Sequence, residues 1–197
     1  MRRLRDRGGP EGTRYTMREK LFSIGDDYWI ETDGGERMFK VNGKALRVRE
    51  TFVIESRSGE ELFTIQEKKL SVRDKMEVER GGQTVATVKK ALIGIRDRYS
   101  IEVEGGPDLS AKGNFVDHEF EIERDGHKVA EISKRWLRVR DAYGIEVAPG
   151  EDDALMLAVT VCIDQMGRLR SITIVGAHDR RGCGRERPHR GGSRRRR

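Results

Sequence analysis

Apolar residues along this chain recur at every second position, in short stretches separated by glycine- and aspartate-rich breaks. The pattern is clearest in VRDKMEV (72–78), IRDRYSIEV (95–103) and VRDAYGIEV (139–147), with looser copies in IGDDYWI (24–30), VRETFVI (48–54) and VDHEFEI (116–122). Aligned on the polar residue at the centre (Asp26, Glu50, Asp74, Asp97, His118, Asp141), the copies are spaced by 24, 24, 23, 21 and 23 residues. Two positions before that centre stands Ile24, Val48, Val72, Ile95, Val116 or Val139. Two positions after it stands Tyr28, Phe52, Met76, Tyr99, Phe120 or Tyr143, and four after it Ile30, Ile54, Val78, Ile101, Ile122 or Ile145. The ungapped segments 82–103 and 126–147 share ten of 22 positions. A fixed period of this length marks a repeated supersecondary unit.

Side chains two apart lie on one face of a strand, so each copy presents an apolar stripe to a core and charges to water. Turn signals follow the stripes at Asp33-Gly34-Gly35, Ser58-Gly59, Gly81-Gly82, Gly105-Gly106-Pro107 and Asp125-Gly126. Second strands are expected in MFKV (38–41), ELFTI (61–65), TVATV (84–88) and KVAEI (128–132). Six two-strand units give about twelve antiparallel strands, whose edges must be removed by splitting into a sandwich or closing into a barrel. The central polar residue shares the parity of the stripe. That predicts a bend or bulge there, the alternative being a buried ring of carboxylates able to hold a cation.

After the last copy the periodicity changes. APGEDDALMLAVTVCIDQMGRL opens with Glu151, Asp152 and Asp153, which suit a helix N-terminus, and Gly167 is a natural stop. Between them Ala154–Ile163 is apolar on every side, which predicts a helix buried all round, inside a barrel. It is about half the roughly 20 residues a spanning helix needs. SITIV (171–175) reads as a final short strand.

The residues LFSIGDDYWI, MFKVNGKALRVRETFVI, LFTIQEKKLSVRDKMEV, VATVKKALIGIRDRYSIEV and DDALMLAVTVCIDQM together resemble the LURP-one-related family over about 15–175. The resemblance implies a tubby C-terminal-like fold, a 12-stranded antiparallel closed barrel around a buried apolar C-terminal helix, distantly similar to phospholipid scramblases. It also implies a membrane or phosphoinositide connection, but no functional residue of those relatives matches a position here.

Composition adds the ends. The 197 residues are 35% hydrophobic and 38% charged, with a net charge of +6. Residues 176–197 hold nine arginines against Asp179 and Glu186 (+7), and 1–14 hold five against Asp6 and Glu11 (+3), which leaves 15–175 at −4. Both ends are therefore expected to be disordered and basic, flanking one domain at 15–175. The basic N-terminus has no apolar h-region after it, so no signal peptide is expected. Cys162 and Cys183 do not read as a structural pair, and the expected location is cytoplasmic, with peripheral membrane association as the alternative.

Candidate chemistry is sparse. No metal-ligand spacing is formed by His118, His127, His178 and His189, and the chain lacks a nucleophile elbow, a P-loop and a dinucleotide fingerprint. No cofactor or metal is expected, and the protein is expected to be non-enzymatic. The basic pairs Lys68-Lys69, Lys89-Lys90 and Lys134-Arg135 fall near the ends of second strands. Lys89, Lys90, Lys134 and Arg135 are thus candidates for a rim that binds anionic lipid head groups. The competing expectation is solvated surface beside acids such as Glu67 and Glu131. The arginine tail could associate with nucleic acid in a salt-dependent way. A binding or scaffold module is the leading functional expectation, with a protein or anionic phospholipid as its partner.

Overall fold

The computed structural model describes residues 12–18, 28–43, 51–68, 75–91, 97–114, 119–134 and 142–178, with side chains in the last segment as far as Gly167. The strands are β1 (Thr13–Arg18), β2 (Tyr28–Thr32), β3 (Arg37–Gly43), β4 (Thr51–Ser56), β5 (Glu61–Glu67) and β6 (Lys75–Arg80). They continue as β7 (Gln83–Lys90), β8 (Asp97–Val103), β9 (Leu109–Asn114), β10 (Glu119–Arg124), β11 (His127–Ser133) and β12 (Ala142–Val147), followed by helix α1 (Asp153–His178). From β2 to β12 each strand pairs antiparallel with the next, and β1 fits between β12 and β2 to close a 12-stranded barrel.

The alternating stripe is what fills this barrel. Tyr28, Phe52, Met76, Tyr99, Phe120 and Tyr143 are all buried, and Ile30, Ile54, Val78, Ile101, Ile122 and Ile145 are at most fractionally exposed. The residues two before the central polar position lie outside the described residues, as do Asp26, Glu50, Asp74, His118 and Asp141. Asp97 is described and opens β8, where it pairs with Lys90 at 3.1 Å.

A bulge does occur, but at the opposite end of the stripe. In four hairpins the register slips directly after the last stripe residue, at Ile30/Glu31, Ile54/Glu55, Val78/Glu79 and Ile122/Glu123. The extra residues are Met38, Leu62, Val85 and Val129, all apolar and all packed against the core. An extra residue coils a strand more tightly. Repeated in four hairpins, it turns an apolar side chain toward the mouth of the barrel. The turns beyond are tight: Gly81-Gly82 and Asp125-Gly126 have positive φ at both positions, as a two-residue hairpin turn with the right twist requires.

Helix α1 enters at this mouth. Asp152 caps it, its Oδ1 accepting the Leu155 amide at 3.0 Å. Met156, Leu157, Ala158, Val159, Val161, Cys162, Ile163 and Met166 have essentially no exposure. Thr160, one of three polar residues in this buried run with Asp164 and Gln165, donates its hydroxyl to the Met156 carbonyl at 2.8 Å and so asks nothing of the barrel wall. Burial also pushes the Cys162 thiol far above its ordinary pKa, which makes it unreactive. The buried run 156–166 measures about 16 Å at 1.5 Å per residue. A six- or seven-residue strand tilted by about 40° spans roughly the same height, so helix and wall match.

Three expectations are corrected. The helix does not stop at Gly167, and Ser171–Val175 is helical, not a strand. A single glycine costs a helix only about 1 kcal/mol, and a closed barrel offers no edge to a further strand. The twelfth strand comes instead from the N-terminus. The sixth unit lacks a second strand of its own, and β1 takes its place beside β12. The barrel accordingly begins at Thr13, inside the stretch 1–14 assigned to a disordered end, and α1 runs to His178, past the expected boundary at 175. The remainder of both ends lies outside the described residues. Like β1, β9 had no advance notice: LSAKGN turns Leu109, Ala111 and Gly113 inward, and the small Ala111 and Gly113 lie opposite Tyr99 and Phe120, leaving room for their edge-to-face pair at 5.9 Å.

Candidate functional site

The mouth where α1 enters concentrates the long-range polar contacts. Three successive acids at the head of the helix meet three different strands. Glu151 accepts from Arg124 of β10 at 2.7 Å, Asp152 from Arg80 of β6 at 2.9 Å, and Asp153 from the Tyr15 hydroxyl of β1 at 2.9 Å. The Arg80 guanidinium also lies 4.5 Å from the ring centre of Phe63. Acids suit the positive end of the helix dipole, so sequence-local preference and tertiary pairing agree. Burial pushes the Tyr15 hydroxyl well above its ordinary pKa, and the Asp153 carboxylate adds to the shift. Burial likewise raises Asp153, as does neighbouring Asp152, although the Tyr15 hydrogen bond opposes them.

Beside this anchor is a cleft of about 250 Å³, lined by Gly12, Thr13 and Arg14 of the β1 end, Thr32, Asp33 and Gly34 of the first turn, and Glu146 of β12. Arg14 donates from Nε and Nη2 to Glu146 Oε2, at 3.0 and 2.8 Å. Glu146 is buried, and Asp33 lies 4.0 Å from the Arg14 guanidinium. Gly12 is required by close approach: a Cβ there would sit 2.3 Å from the Val147 carbonyl oxygen. Within the cleft one guanidinium thus faces two carboxylates.

The basic residues singled out from sequence are dispersed. Lys89 on β7 is paired with Glu102 of β8. Lys90 is buried, paired with Asp97 and set 5.4 Å from the Tyr99 ring, so its ammonium serves the wall and not the solvent. Lys134 follows β11 and is half-buried, and Arg135 lies outside the described residues. From β7 to β11 the wall turns through four strand spacings, about 19 Å. Lys89-Lys90 and Lys134 are therefore not brought together. Lys68 pairs with Glu77 at 2.8 Å, which also takes Lys75 at 2.9 Å. Burial works against the Glu77 charge, but the two lysines outweigh it and hold the carboxyl below its usual range. Lys128 lies 2.5 Å from Glu131 and 3.4 Å from Glu121, and these acids raise its pKa against the effect of burial. Lys112 meets Glu123 at 2.5 Å. The outer wall is thus a lattice of alternating charges, as expected of a slightly acidic body.

Among the described residues no group of three His, Cys, Asp or Glu side chains could hold a metal ion, and no helix is long and apolar enough to cross a membrane. The Arg14–Glu146 and Tyr15–Asp153 contacts, 132 and 138 residues apart, had no sequence signal. Only the ring closure places the N-terminal strand against the last strand and the helix.

A meandering antiparallel barrel, closed by its first strand and filled by its last helix, defines the structural class. The chain belongs to the LURP-one-related family, whose model matches residues 13–164. It is similar to the X-ray structure of a protein from Arabidopsis thaliana, with a TM-score of 0.60 and 18% identity over 79% of this chain and 91% of that one. That likeness is one of fold. No curated protein matches the sequence.

Proposed function

We propose that this chain is a non-enzymatic binding or scaffold module that presents its outer wall to a partner protein. The observation that carries this reading is the filled interior. Ligand-carrying barrels keep their lumen for the ligand, whereas here Met156–Met166 occupy it with side chains that are almost completely buried. Recognition is left to the outside, where charged residues stand in alternating pairs. Such surfaces favour specific orientation of a complementary protein over bulk attraction to a polyanion.

The test is co-sedimentation with neutral and phosphoinositide-bearing vesicles at two salt concentrations, using the full chain and a chain ending at His178. Absence of binding by both leaves the protein-module reading standing. A partner must then lose affinity when wall charges are reversed, as in Lys112→Glu. Head-group-selective binding that survives truncation and falls in Lys89→Gln would replace this reading with peripheral membrane recognition. Binding of vesicles or RNA that is lost on truncation and weakens steeply with salt would assign the interaction to the arginine tail.

A further inference from the structure

The barrel is not equally sealed all the way round. β1 and β12 are matched over six residue pairs, Thr13↔Val147 through Arg18↔Ala142. Among the described residues β1 and β2 are paired at Tyr15↔Thr32 and Thr16↔Glu31, whereas β2 and β3 are matched over four pairs and β3 and β4 over five. Side chains of β1 also reach β12 and the helix. Arg14 binds Glu146 of β12 twice, Met17 accepts from the Tyr143 hydroxyl of β12 at 3.0 Å, and Tyr15 donates to Asp153 of the helix. Across the other side, Arg14 and Asp33 are 4.0 Å apart with Asp33 exposed, and the Tyr15 ring meets Phe39 edge-on at 5.8 Å. The cleft lined by Arg14, Asp33 and Glu146 lies on this same line.

We propose that the barrel opens along the β1–β2 seam, with β1 remaining attached to β12 and α1. This goes beyond the binding reading and holds whichever partner the outer wall selects. Three features converge on one place: a ladder of two described pairs, side-chain ties that bind β1 to the other neighbour, and a cleft between the strands. Local opening is drawn from elements with few hydrogen bonds across them. Opening here uncovers core side chains of β1 and β2, Tyr15, Met17 and Ile30 among them, without unfolding the meander from β2 to β12.

Two measurements on the full chain test this. Amide hydrogen exchange followed by NMR should show the amides bonded across β1–β2 exchanging at least tenfold faster than those bonded across β1–β12. Thr16→Cys with Glu31→Cys, a pair facing each other across the seam, should suppress that fast exchange when oxidised and restore it when reduced, in a Cys183→Ser background. Equal exchange on the two sides of β1 would overturn the proposal, as would an oxidised pair that leaves the seam rates unchanged.

Discussion

Leu157 tests the central idea of the fold, that the helix is the core of the barrel and not an appendage to it. Its side chain has no exposure and sits in the second turn of α1, where the strands surround the helix. Leu→Ala in a protein interior costs about 2–5 kcal/mol, the spread reflecting how far the surroundings can collapse into the void. Here they can collapse little. Every strand of the wall is hydrogen-bonded on both edges, so inward movement of one strand must drag its neighbours. The cost therefore belongs in the upper part of the range, about 4 kcal/mol. That is a large share of the ~5–15 kcal/mol that holds a typical domain together. Urea unfolding followed by far-UV circular dichroism should show a lower midpoint with an unchanged slope, and the melting temperature should fall by roughly 10 °C. Leu157→Asp adds an unpaired buried carboxyl to the same void and should leave no folded population, and Val159→Asp should do the same. Lys112→Ala, on the exposed outer wall, should stay within about 0.5 kcal/mol of the parent. A Leu157→Ala cost below about 1 kcal/mol, or a Leu157→Asp variant that melts like the parent, would refute the filled-barrel argument.

Two other perturbations probe the wall. Gly113 of β9 faces Phe120 of β10 so closely that a Cβ would lie 2.0 Å from the Glu119 carbonyl oxygen and 2.6 Å from the Phe120 ring. Gly113→Ala should therefore cost about 3 kcal/mol in chemical unfolding, whereas Gly106→Ala, with only a 3.4 Å side-chain neighbour, should be close to neutral. A neutral Gly113→Ala would show that the β9–β10 approach is looser than described. Glu77→Gln removes the negative charge shared by Lys68 and Lys75. Because the folded pKa of Glu77 is lowered, its contribution is complete above the unfolded carboxylate value and fades as pH falls through the folded one. The variant should be about 1 kcal/mol less stable than the parent at pH 7, with the two converging in acid. A gap that persists unchanged at low pH would mean the loss is one of packing and not of charge.

The strands and their inward faces were legible in the sequence because a strand's alternation is local: Tyr99 and Ile101 point the same way whatever surrounds them. The burial of α1 was legible for a similar reason, since a segment apolar on every side has no face to offer water. The turns at Gly81-Gly82 and Asp125-Gly126 announced themselves because few residues but glycine, asparagine and aspartate tolerate positive φ. What the tertiary structure decided was everything that depends on closure. Thr13–Arg18 carries no stripe copy, and it becomes a stave only because the sixth unit ends in a helix and leaves a gap beside β12. The same closure makes SITIV redundant as a strand, since no edge remains for it. It also supplies Arg14 with Glu146. Local pattern specifies which side of a strand is wet, but which strand lies alongside it is a property of the closed ring, and that is where the anchor, the cleft and the seam arise.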